Sequence, residues 1–128
     1  MIFIKSYFVK TTQAIDFIPI IHDVRYAIRD SQAVNGLVTI AIPAAGASLF
    51  VSDLKKDRLQ ESGEQFKSPE RATVSLSLPF QKKELLLDPK QMIYLVDATG
   101  DGKRREFLVH ILGEEPQKQQ PQQGGNKR

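Results

Sequence analysis

Imidazole is the side chain best suited to moving a proton near neutral pH or holding a metal, and this chain of 128 residues has two. His22 and His110 lie far apart, and neither belongs to an H-x-H or H-E-x-x-H spacing, so the sequence points to no metal site. His22 falls in the first turn of the clearest helix, where the helix dipole disfavours a positive charge. It reads as a neutral or solvated surface residue. His110 falls in a strand, on the face opposite Val109 and Ile111, either half-buried or at an interface. Cysteine is absent, which excludes disulfides, Cys-ligated zinc, iron–sulfur clusters and thiol nucleophiles. Ser48 is not part of a G-x-S-x-G elbow, and there is neither a Walker A pattern nor G-x-G-x-x-G. The small residues at 44–48 would let a backbone approach a phosphate. They suit a tight packed turn equally well, and packing is the favoured reading. Lys103-Arg104-Arg105 is a basic cluster beside a turn and reads as a solvated turn face. No cofactor is implied.

Charge narrows the classes further. There are 18 Lys and Arg against 15 Asp and Glu. Residues 116–128 hold Lys118, Lys127 and Arg128 and no acid, leaving 15 of each sign in residues 1–115. The basic pI near 9.2 therefore belongs to the tail. A nucleic-acid binder should show a basic stripe on its body, and none is evident, which argues against nucleic acid as a partner. No run approaches the roughly 20 apolar residues of a membrane span, and no leader is evident. A soluble cytoplasmic protein is the expectation.

The elements that must position these residues follow from periodicity. Residues 1–10 predict a strand. A short apolar run at 15–18 leads to Pro19, placed in the first turn of a helix. Ile21, Val24 and Ile28 form one helical stripe, ending near Gln32, with Asn35-Gly36 supplying positive φ. Residues 37–42 predict a buried strand, stopped by Pro43, and 49–51 another. Residues 52–70 predict a polar loop with one helical turn near 54–59. In 73–78, Val74, Leu76 and Leu78 share one strand face. Gln81-Lys82-Lys83 predicts a turn and 85–87 a short strand. Residues 92–96 and 107–112 predict two more, joined by 98–102, whose Asp-Gly pair signals a hairpin. The Gln-, Pro- and Gly-rich residues 116–128 predict a disordered tail. Hydrophobic residues make up 41%, enough for one core. The expectation is a single α+β domain over 1–115, with about seven mostly antiparallel strands and one main helix on one face.

Two segments resemble the YjbQ-like family, whose members are often described as secondary thiamine-phosphate synthases. Residues 9–53 follow the family order of a strand ending in Thr, a short strand, an amphipathic helix and a Gly-led strand. A Pro-His-Thr-Thr-Ala-Ala-Leu motif and a carboxylate come next in the family. Residues 75–114 follow its S-L-x-x-P strand, Leu-rich strand, Trp-Gln pair, I-x-L strand, Asp-Gly turn, Arg cluster and closing V-x-V-x-G. The departures concern chemistry. Ala44 stands where the family has the His after Pro, and Ala45 and Gly46 stand at its two Thr positions. Asp53 replaces the usual Glu, and Lys90 replaces the aromatic before Gln91. Residues 54–72 are too few for the family's second helix and second His motif. Ala44 has no donor, acceptor or titratable group, so chemistry performed by those histidines is expected to be absent.

The resemblance implies a homotrimer with sites near subunit boundaries. The ligand-binding candidates are Ser48, Asp53, Gln91, Arg104, Arg105 and His110, with a small phosphorylated or anionic ligand. The leading reading is a non-catalytic, structural or small-ligand-binding trimer. A second is a weak thiamine-phosphate-synthase-like enzyme with a rearranged site at Asp53, Gln91 and His110. A third is an adaptor for a partner or nucleic acid, acting through the basic tail.

Overall fold

In the computed structural model, residues 1–12, 15–55, 58–59, 74–100 and 102–114 are described. Eight strands and one helix occur among them, in the order β1 (Ile2–Lys10), β2 (Asp16–Pro19), α1 (Ile21–Ser31), β3 (Gly36–Ala41), β4 (Ala47–Ser52), β5 (Ser75–Gln81), β6 (Glu84–Leu85), β7 (Met92–Asp97) and β8 (Arg104–Gly113). The strands form two antiparallel sheets. The larger has the order β1-β8-β3-β5-β6 and the smaller β2-β7-β4. The α+β class read from the sequence is the class observed.

Helix α1 lies on the inner face of the large sheet. Its buried residues Ile21, Val24, Ala27 and Ile28 carry the stripe read from the sequence. They meet Val38, Ile40, Phe107, Val109 and Ile111 of the large sheet and Ile93 and Leu95 of the small one in a single cluster. An isolated helix of 11 residues is marginal in water. Burial supplies what propensity lacks, at about 1.5–3 kcal/mol for each large side chain. The small sheet is covered on its second face too, where Phe17, Tyr94 and Val96 pack with Leu59. Strand β7, with Ile93 to Asp97 all buried, is therefore apolar on both faces. Arg58 and Leu59 lie in a helical turn, both N–H groups donating to the carbonyl of Lys55.

Four expectations are corrected. Pro19 ends β2 opposite Tyr94 instead of opening the helix, and β2 is the strand beyond the expected seven. An edge strand tolerates a residue with no N–H. Helix α1 then starts without a side-chain cap at Ile20, whose own N–H donates to the carbonyl of Ile93. Positive φ at the helix C-terminus falls on Gln32, at 64°, and not on Asn35-Gly36. Gly36 is needed for proximity instead: a Cβ there would overlap the Leu112 carbonyl and come within 2.9 Å of the Phe80 ring. Strand β3 is buried on one face only, with Leu37 41% exposed, because none of the described elements covers the outer face of the large sheet.

The fourth correction concerns residues 98–102. Strands β7 and β8 do not pair, since β7 lies in the small sheet and β8 in the large one. The connection is a crossover between layers, not a hairpin. Gly100 and Gly102 take positive φ in it, at 73° and 63°. Val74 is exposed, and the inward row of β5 is Leu76, Leu78 and Phe80. The expected tail at 116–128 and most of the expected loop at 52–70 lie outside the described residues.

Gly36→Ala should cost about 2 kcal/mol or more by forcing β3 and β8 apart. Thermal unfolding followed by circular dichroism should show a melting temperature lower by several degrees, with an unchanged native spectrum at low temperature.

Candidate functional site

Residues 44–46 form an exposed turn between β3 and β4, which Gly46 closes at a φ of 108°. The turn is held from beneath by Arg105. The guanidinium Nη1 donates to the Ala45 carbonyl at 3.2 Å, and a Cβ on residue 46 would stand 2.8 Å from Nη2. Arg105 also donates from Nε to Asp97 Oδ2 at 2.9 Å, and from Nη2 to Asp97 Oδ1 at 3.4 Å and Thr99 Oγ1 at 3.1 Å. Asp97 is fully buried and Arg105 nearly so, at 8% exposure. The Asp97 Oδ1 further accepts from the Thr99 N–H and hydroxyl, at 2.9 and 2.6 Å. Burial pushes the Asp97 carboxyl up, but hydrogen bonds from Arg105 and Thr99 outweigh it and hold the group down to about 2.

The pair is thus a charged clasp between the two sheets. Asp97 ends β7 and Arg105 is the second residue of β8. The solvated turn face expected of residues 103–105 holds at Lys103 and Arg104 only; Arg105, expected as a ligand contact, turns inward onto Asp97 and Thr99. Four of the five donors of Arg105 are already spent on protein oxygens. The signal that would have found its partners is the acid eight residues upstream, followed two residues later by a hydroxyl.

The other candidates do not converge. Ser48 is half-buried opposite Val96, and Ala47 stands opposite Asp97 at the clasp end of the β4–β7 ladder. Asp53 and Gln91 follow Ser52 and precede Met92 at its other end. Five residues of strand separate the two ends, about 16 Å at the usual rise. Asp53 is exposed, and Gln91 is half-buried with its N–H on the Asp88 carbonyl. His110 is exposed on the outer face of the large sheet, opposite Ile4 and Thr39. Arg104 is on that face as well, its guanidinium 3.9 Å above the Phe8 ring. His22 is exposed on the first turn of α1. Among the described residues no three His, Asp or Glu side chains lie together as a metal site would require.

No family model matches the sequence, and no curated protein does. Solved structures do match. A YbjQ-like protein of unknown function from Sulfolobus solfataricus superposes with a TM-score of 0.79 at 18% identity, over 89% of this chain and 99% of that one. The chain has the YjbQ-like fold. A hypothetical protein from Aeropyrum pernix K1 gives a TM-score of 0.76 at 21% identity, over 88% and 99% of the two chains. An uncharacterised conserved protein of the YjbQ family from Clostridium acetobutylicum gives 0.68 at 18% identity, over 84% and 99%. The YjbQ-like fold is therefore shared along nearly the full length of these neighbours. The clasp closes its two sheets in this chain.

Arg105→Ala leaves the Asp97 carboxylate buried without its cation and should cost about 3–5 kcal/mol in urea unfolding. The pH dependence has a fixed sign. The folded carboxyl titrates near 2, below its ordinary value of 3.8, so its stabilisation is complete above about pH 4 and is lost as pH falls through 2. Asp97→Asn should flatten the stability profile in that acid window and leave its shape above pH 5 unchanged.

Proposed function

We propose that this chain is a YjbQ-family protein that catalyses no reaction and serves as a structural or small-ligand-binding homotrimer. The observation that supports this most is the composition of the 44–46 turn. It is exposed, it is made of Ala44, Ala45 and Gly46, and the Arg105 guanidinium beneath it is committed to Asp97. Proton transfer there needs a titratable group near neutrality, and the turn has none. Both imidazoles are mounted elsewhere, His22 on α1 and His110 on the outside of the large sheet. The rearranged enzyme fares worse on the same geometry. Asp53 and Gln91 share one end of the small sheet, while His110 belongs to the opposite face of the other sheet.

Assembly finds support in that outer face. Ile2, Ile4, Phe8, Leu37 and Leu112 are exposed there at 66, 58, 50, 41 and 56%. Ile2 stands opposite Leu112, and Leu112 opposite Leu37, so three of the five form a continuous row across β1, β8 and β3. Contiguous apolar surface of this kind marks interaction sites in soluble proteins. An interface on this face would place His110 and Arg104 at a subunit boundary. Ser48, Asp53, Gln91, Arg104 and His110 are the candidates left open to a ligand.

Homogeneous protein assayed for thiamine-phosphate synthase activity should give background turnover, and turnover that survives stringent purification would contradict the reading. Light scattering of the wild type should give three times the chain mass of 14.4 kDa. The double variant Ile4→Asp/Leu112→Asp should give a folded single chain. A monomeric wild type would remove the trimer.

A further inference from the structure

A second feature lies at the other end of β3 from the 44–46 turn. Helix α1 and the turn between β5 and β6 enclose a cleft of about 470 Å³, within the usual size of a small-molecule site. Its walls carry Arg25 and Arg29 from the helix and Lys82 and Lys83 from the turn, with Leu85, Leu87 and Pro89 as an apolar side. Glu84 is the one carboxylate among the described lining residues. Among the described residues no salt bridge joins any of the four cations to an acid. The nearby acids are engaged elsewhere: Asp30 pairs with Lys5 at 2.9 Å, and Asp88 Oδ1 accepts from the Lys90 N–H.

Two local choices that cost stability converge on this cleft. Arg25 and Arg29 are one helical turn apart, and like charges at that spacing repel. The dipole at the helix C-terminus favours Arg29 but reaches only the last turn. The β5–β6 turn places Lys82 and Lys83 at φ 53° and 66°. Two successive left-handed residues in a two-residue hairpin turn are the geometry that Asn-Gly satisfies without strain. Lysine in the left-handed region costs about 1 kcal/mol or more at each position. The turn is anchored, with the Lys82 N–H on Asn35 Oδ1 and the Lys83 N–H on the Val34 carbonyl. Unfavourable local choices gathered at one place are the mark of a functional site in an otherwise consistent sequence. The contrast is sharpened by the balanced charge of residues 1–115 as a whole.

We propose that this cleft binds a small organic phosphate, whose phosphate is taken by Arg25, Arg29, Lys82 and Lys83 and whose apolar part lies against Leu85, Leu87 and Pro89. Forked guanidinium donors and mobile ammonium groups around one cavity suit a multiply charged anion. The site stands apart from the catalytic question, since it uses none of the residues weighed above.

The test is calorimetric titration of the full chain with inorganic pyrophosphate at low salt. One site per chain should saturate and weaken as salt rises. The variant Arg25→Gln/Arg29→Gln should bind about ten-fold more weakly or worse. The variant Lys82→Asn/Lys83→Gly should lose affinity to a similar degree while melting at a higher temperature than the wild type, because its turn is relaxed. This second variant separates lost binding from lost folding. Absence of saturable binding by the wild type, or wild-type affinity in either double variant, would overturn the proposal.

Discussion

A carboxylate and a guanidinium buried between two sheets depend on each other. Removing either Asp97 or Arg105 leaves a charge where water cannot solvate it, a penalty of several kcal/mol. The pair therefore constrains its surroundings more than it adds net stability. It requires the end of β7 and the start of β8 to lie side by side although they belong to different sheets. It requires the 98–102 crossover to wrap so that Thr99 reaches the same carboxylate. It also requires the 44–46 turn to lie against the guanidinium, which leaves no room for a side chain on residue 46.

That constraint separates scaffold from function. The clasp end of the small sheet is committed to internal hydrogen bonds, and its exposed turn presents only methyl groups and backbone. Cations without a salt bridge among the described residues are found elsewhere, on the α1 face above the β5–β6 turn and at Arg104 on the outer face of the large sheet. Apolar surface follows the same division. It is fully consumed around β7, which is covered on both sides, and left open over β1, β3 and β8.

Local pattern made much of this legible. The helical stripe at Ile21, Val24 and Ile28, the strand character of 1–10 and 92–96, and the outward side of His110 all follow from periods of 3.6 and 2. The fold class followed from the order of those elements, and the YjbQ-like fold from the resemblance carried by residues 9–53 and 75–114. The crossover at 98–102 was not legible as one, because Asp-Gly between two apolar runs signals a hairpin whichever sheets the runs join. Only the strand pairing, β7 with β2 and β4 and β8 with β1 and β3, distinguishes the cases, and that is a tertiary fact. Pro19 misled for a related reason: proline suits an edge strand and a helix start alike. The candidate residues are those the resemblance implies, and the β4–β7 register sets Ser48 and Asp53 toward opposite ends of one ladder. The cleft is a tertiary product as well: Arg25 and Arg29 fall off the apolar stripe of the helix, Lys82-Lys83 lies in a turn, and no local pattern joins them.

The most direct measurement is proton exchange at the Arg105 side chain, followed by nuclear magnetic resonance on nitrogen-15-labelled protein near neutral pH. A clasped guanidinium should show an Nε–H signal that exchanges with water far more slowly than those of exposed arginines such as Arg25. The Asp97→Asn variant should speed that exchange without unfolding the chain. An Arg105 signal exchanging as fast as a surface arginine in the wild type would mean that the sheets are not held by this pair, and the account built on it would fail.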